Sequence, residues 1–269
     1  MGVVSLPMYD WPEVRSATDA FYDGLRTHLS QAGFDAPDAL NRPGDLSTEW
    51  QSPDLLLSQT CGLPYVRTLR DTVSLLGTPV YDLPGCRAGE YASALVVRAS
   101  DSAKAISDLE GARAIVNGFD SQSGCAALFQ AVLARGFAPP FFAETEVSGS
   151  HRASAAAVAD GQADVCAIDP VSWQLIQDWD APVARRLRIL GWGNYGPALP
   201  LVTAKAIDAD RLGALRAAVC GAFADPMLES ERRALYLRGL EPLEDRAYDT
   251  VSARWHALQA SGFLPGMPG

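Results

Sequence analysis

Apolar runs of strand length alternate with helix-period segments along most of this chain, and that alternation narrows the fold more than any single motif does. Alternating β and α elements pack as an α/β protein built on a largely parallel sheet. Strands are expected at 3–8, 55–57, 73–81, 91–98, 112–117, 141–147, 165–168, 187–192 and 199–203. Helices are expected from Trp11-Pro12, from Ser121, from Ser150 and after Asp169-Pro170, with 208–223, a segment around 231–237 and 248–260 making the C-terminal part mainly helical. The Gly/Pro break Leu83-Pro84-Gly85-Cys86-Arg87-Ala88-Gly89 reads as a crossover between domains, and Asp180-Ala181-Pro182 as the approach to a return. The expected division is therefore 1–86 with 190–269 as one discontinuous lobe and 87–189 as the other.

Composition then removes several classes of function. A net charge of −10 argues against nucleic acid, because an acidic surface repels phosphates, and the one basic cluster, Arg185-Arg186-Leu187-Arg188, reads as solvated charge before a strand. No run approaches the roughly 18 apolar residues of a membrane span. Residues 1–8 lack the basic and apolar regions of a signal peptide, so the sequence as given reads as cytoplasmic, mature or trimmed at its start. The five cysteines show no CxxC spacing, which excludes a zinc ribbon or a thioredoxin-like motif. Cys61 and Cys86, both in Gly/Pro-containing segments, are the best candidate disulfide pair. Three histidines give little material for a metal site, and no cofactor is expected.

The stretch from Arg113 to Leu128 carries the most chemistry. An apolar strand gives way at Asn117-Gly118-Phe119-Asp120 to Ser121-Gln122-Ser123-Gly124, where an apolar-periodic helix opens. Backbone N–H groups of a first helical turn lack intrahelical partners and carry the positive end of the macrodipole, so they suit an oxyanion. Two serine hydroxyls add donors, and Gly124 permits close approach to the backbone. An ordinary N-cap by Asp120 or Ser121 explains the same letters. Four further strand ends are polar: Tyr9-Asp10, Ser58-Gln59-Thr60, Ser148-Gly149-Ser150-His151, and Asp169. Ligands of α/β sheets bind outside the carboxyl ends of strands, so these segments together favour a polar ligand site, with Tyr9 and Tyr91 as its best aromatic lining.

The ordered series Leu6-Pro7-Met8-Tyr9-Asp10, Leu57-Ser58-Gln59-Thr60, Asn117 to Gly124, Gly149-Ser150-His151 and Gly161-Gln162-Ala163-Asp164-Val165 through Asp169 resembles the phosphate/phosphonate-binding proteins of ABC importers. The resemblance implies a type II periplasmic binding fold, two α/β lobes joined by two crossovers, with the ligand between them. It implies that Ser121 and Ser123 hold phosphoryl-type oxygens, that His151 donates to the ligand, and that Asp169, assisted by Asp10, meets a cationic amino group on a zwitterion. It further implies a non-enzymatic, periplasmic solute-binding component whose partners are a small anionic or zwitterionic ligand and an ABC permease. Two departures stand out: Ser-Gln-Ser replaces the family's Ser-Thr-Ser-like run, and neither an export signal nor a lipobox cysteine is visible. The alternative is a cytoplasmic enzyme or ligand sensor on the same fold, with His151, Asp169 and Asp10 as acid/base groups. No nucleophile elbow, P-loop or metal-ligand set supports the enzyme.

Overall fold

The computed structural model describes residues 2–264, which divide into two compact units. Residues 2–82, 87–89 and 197–248 form the first, and 83–86, 90–196 and 249–264 form the second.

The first unit is built on a five-stranded sheet. Val3–Val4, Leu55–Gln59, Leu201–Ala204, Val73–Tyr81 and Leu237–Glu241 lie side by side in that order. The first pair is parallel, and every other neighbouring pair is antiparallel. On the sheet packs the helix Arg15–Gln31, whose buried Thr18, Phe21, Tyr22, Leu25 and Leu29 recur at helical spacing and so form one stripe. That stripe meets the helix Ala209–Ala224, where Phe21 and Phe223 stand edge to face at 5.2 Å. Leu25, Leu57, Leu215 and Val219 are completely buried there, each contributing about 1.5–3 kcal/mol by leaving water.

The second unit carries its own five-stranded sheet in the order Leu187–Trp192, Ala94–Arg98, Val165–Ile168, Arg113–Val116, Glu144–Val147. The central strand Val165–Ile168 is buried throughout, as its unbroken apolar run requires for a strand covered on both faces. Arg113–Val116 runs parallel to both its neighbours, and Ala94–Arg98 antiparallel to both of its own. Asp164, just before the central strand, accepts from Arg98 at 2.7 Å and Arg113 at 3.0 Å, and Arg113 above all holds its carboxyl well below the usual range. One carboxylate thus ties the neighbouring strands together.

Several expectations need correction. The sheets are mixed rather than largely parallel, because strand direction depends on the end at which a connection enters, which apolar runs do not encode. Leu187–Trp192 does not return to the first unit at 190: it completes the second sheet, pairing Trp192 with Ala94 and Leu187 with Arg98. The C-terminal helix Asp249–Ser261 also belongs to the second unit, where Phe263 just beyond it meets Phe129 at 5.8 Å. The first strand ends at Val4, and the first helix starts at Arg15 rather than Trp11. Leu237–Glu241 is a strand where the C-terminal part was expected to be helical. Among the described residues no disulfide forms, so the expected Cys61–Cys86 pair is absent and both remain thiols.

Candidate functional site

In the second unit, three of the expected strand-end motifs come together. Ser121, in extended conformation after the strand Arg113–Val116, caps the following helix, its Oγ accepting from the Gly124 N–H at 3.0 Å. The Ala126 N–H reaches back five residues to the Ser121 carbonyl, so Gln122–Ala126 is a wide π-helical turn before the α-helix Ala127–Leu133 begins. Such wide turns occur frequently at functional sites. Ser121 and Ser123 are 7% and 6% exposed, with their hydroxyl oxygens 3.5 Å apart. A hydroxyl that accepts as a cap still has its proton to donate.

Gly124 is fixed by packing. A Cβ there would collide with Asn117 Oδ1, a buried oxygen without a hydrogen-bond partner among the described residues. Gly124→Ala is therefore expected to cost about 1–3 kcal/mol, and Asn117→Ala in the same chain to recover most of it. Urea unfolding of the three variants checks this, and strict additivity of the two changes contradicts the contact.

Ser150 caps the helix His151–Ala159 by accepting from Ala153 N at 3.1 Å, and so brings His151 to the site. His151 Nε2 lies 2.8 Å from Ser123 Oγ and 3.3 Å from Asp169 Oδ2. Asp169, 3% exposed at the end of the central strand, caps the helix Pro170–Trp179 through Ser172 N at 2.9 Å. Burial lowers the His151 pKa, outweighing the Asp169 charge and the neighbouring Ala167 carbonyl, so the ring is neutral near pH 7. Asp169 consequently faces no cation among the described residues. Cys86 also stands close enough to feel Asp169: its thiol is pushed up to about 12, chiefly by burial and then by that charge. Ala94 pairs with Ile168, which brings Ser93 level with Asp169, and the buried Ser93 hydroxyl has no partner among the described residues. Tyr91, in the same segment, is buried.

The cluster has serine, histidine and aspartate but lacks the geometry of a proton relay. Ser123 and Asp169 approach the same ring nitrogen, while Nδ1 is buried with no hydrogen-bond partner among the described residues. A relay needs the serine and the carboxylate on opposite nitrogens.

His151 has a stability signature. Its folded pKa lies below the ordinary value near 6.5, so the unfolded chain binds the proton more readily. Stability is complete above about pH 6.5 and declines as pH falls toward the depressed folded value. His151→Gln should flatten that decline below about pH 6.5 in urea titrations. An equal slope in both proteins overturns the assignment.

The first unit treats its candidates differently. Ser58 is completely buried and meets Ser5 Oγ at 2.7 Å and the Trp50 indole N–H at 3.1 Å, while Glu49 accepts from Ser5 and Asn41. It belongs to a closed structural network. Gln59 donates to the Tyr81 hydroxyl and the Leu199 carbonyl, each at 3.2 Å, and Tyr9 stands edge-on to Tyr81 at 5.6 Å. Thr60 is buried and donates to the Cys61 carbonyl. Asp10 is engaged by Arg42 at 2.6 Å, whose guanidinium also holds Asp19. Glu49 escaped the sequence reading, although Asp45-Leu46-Ser47-Thr48-Glu49 carries the signal of a capped helix start, and Asp45 does cap Leu46–Trp50. Among the described residues no group of side chains is suited to a metal ion, and no helix is long and apolar enough to cross a membrane.

The fold is that of type II periplasmic binding proteins. Residues 55–248 match the periplasmic substrate-binding proteins of phosphonate ABC transporters, and the chain belongs to that family. Its role is accordingly that of a solute-binding protein, and the family is periplasmic. The structure is similar to PhnD1 of Prochlorococcus marinus, solved in complex with methylphosphonate: TM-score 0.75, 15% identity, 96% of this chain and 98% of that one covered. It is also similar to a binding protein component of an ABC phosphonate transporter from Pseudomonas aeruginosa, with TM-score 0.74, 13% identity and coverages of 100% and 91%. A Xanthomonas citri protein bound to ATP aligns with TM-score 0.73, 18% identity and coverages of 97% and 99%. No curated protein matches the chain.

Proposed function

We propose that this protein binds a small oxyanion of phosphate or phosphonate type for an ABC importer, with its anionic end at Ser121 and Ser123 and a cationic group facing Asp169. The observation that carries the reading is the meeting of Ser123, His151 and Asp169 behind the wide helical turn opened by Ser121. Hydroxyls and first-turn N–H groups supply donors without a basic side chain, as a neutral His151 requires. A buried carboxylate without a cation is costly, and a zwitterionic ligand relieves that cost. The unpartnered Ser93 hydroxyl, level with Asp169, offers a further polar contact.

The protein acts as a binder in this reading, and its partner is an ABC permease. The approach of Ser123 and Asp169 to one ring nitrogen weighs against the enzyme alternative. Location in the periplasm follows the family. Calorimetric titration with phosphate, methylphosphonate, methanesulfonate and 2-aminoethylphosphonate tests the proposal. The aminophosphonate is expected to bind most tightly, and Asp169→Asn to erase its advantage over methylphosphonate. Failure of a folded protein to bind any of the four sinks the anion site. Equal affinity for the two phosphonates sinks the cation subsite alone.

A further inference from the structure

The C-terminal helix Asp249–Ser261 buries Val251, Trp255 and Leu258, an apolar stripe at helical spacing. Position 254 falls on that same stripe, three residues after Val251 and four before Leu258, yet it holds an arginine. The helix packs against Gln122–Ala126 and Ala127–Leu133, which carry the anion-binding turn. Arg254 is partly buried beside that turn.

Its guanidinium is poorly satisfied. Among the described residues one of its five N–H donors bonds to a protein acceptor, Nη1 to the Tyr195 carbonyl at 2.8 Å. Among the described residues it makes no ion pair; Glu90 is the one carboxylate whose field it feels. Partial burial lowers its pKa, the mark of a cation short of compensation. Gly196 shows what lies beside it. A Cβ there would fall 3.0 Å from Arg254 Nη1 and 3.7 Å from Gln122 Nε2, so both nitrogens approach one side of the same glycine. A guanidinium and an amide together offer donors of the kind that hold a carboxylate.

We propose that Arg254, with Gln122, reads a second acidic group on the ligand, so that the preferred solutes are organophosphonates that also bear a carboxylate. The inference rests on the placement of the phosphoryl-type end at Ser121 and Ser123. It also accounts for an amide at position 122 between the two hydroxyls. Gln122 gives up a short donor to the phosphoryl group and reaches toward a more distant anion.

The test compares 3-phosphonopropionate with propylphosphonate, which lacks the carboxylate, by calorimetry at fixed ionic strength. The wild-type protein is expected to prefer the former by about tenfold or more, the yield of one charge-assisted hydrogen-bonded contact. Arg254→Gln retains a donor for Tyr195 but removes the charge, and should bring the ratio to about one. Arg254→Met keeps the packed stem and serves as a second variant should the first fail to fold. The readout is the ratio of the two affinities, which a merely structural role for Arg254 does not move. A ratio near one in the wild type, or an unchanged ratio in the variants, overturns the proposal. The underlying site is judged separately: if Ser121→Ala/Ser123→Ala weakens neither probe, the phosphoryl placement itself is wrong.

Discussion

Replacing Glu49 by alanine is expected to lower the stability of the first unit by about 3–5 kcal/mol, the sum of a lost side-chain volume and two stranded buried hydroxyls. Glu49 is 6% exposed, and its carboxylate accepts from Ser5 and Asn41. Ser58 Oγ lies 3.4 Å from the same oxygen that Ser5 uses and is itself bonded to Ser5 and to the Trp50 indole. The residue therefore ties the chain after Val3–Val4, the loop at Asn41 and the strand Leu55–Gln59 to one acceptor. Alanine leaves the two buried hydroxyls of Ser5 and Ser58 without this acceptor, where each unmade bond costs about 1–3 kcal/mol, while the exposed Asn41 amide turns to water. Glutamine keeps the volume and one carbonyl, and is expected to cost about half as much. Urea unfolding followed by circular dichroism separates the variants. A Glu49→Ala protein within about 1 kcal/mol of wild type shows that water enters and satisfies the donors.

How much of this was legible in the sequence depends on whether the signal was local. The strand Val165–Ile168, the Ser150 cap, the Asp169-Pro170 helix start and the turn at Ser121 are all written in adjacent letters, and the structure forms each of them. The meeting of Ser123, His151 and Asp169 required only that neighbouring strands bring their ends to one level, which the order of motifs already suggested. Long-range pairing was not legible. Nothing near Asp10 marks Arg42 as its partner, and nothing near Ser5 marks Glu49, because each pair is closed by chain that returns from elsewhere. Sheet direction was lost for the same reason: Leu201–Ala204 reads as an apolar run whichever way it points. Arg254 is the instructive case. Its place on an apolar stripe was visible, but the segment it faces was settled only by the C-terminal helix packing in the second unit.

The double substitution Ser121→Ala/Ser123→Ala is expected to weaken phosphonate binding by about 100-fold or more, because two hydroxyl donors to a charged oxygen are each worth about 1.5–3 kcal/mol. The single variants divide the effect in a way that a general loosening of the turn does not. Ser121 Oγ also accepts from Gly124 N, so Ser121→Ala gives up a helix cap and about 1 kcal/mol of stability along with affinity. Ser123 caps nothing; its partner is His151 Nε2 at 2.8 Å. Ser123→Ala should therefore reduce affinity with little change in the melting temperature. It also leaves the ring nitrogen to Asp169 alone, a carboxylate that favours the imidazolium. Binding by Ser123→Ala is then expected to recover part of its loss as pH falls from about 7 to 5.5, since a protonated ring facing the oxyanion replaces a missing donor with a charged one. The wild type should show a smaller gain over the same range, because Ser123 still occupies the ring nitrogen. A flat profile in both proteins would mean that His151 serves the packing of the cluster and does not face the ligand, while an affinity unchanged by the double substitution would remove the serines from the site altogether.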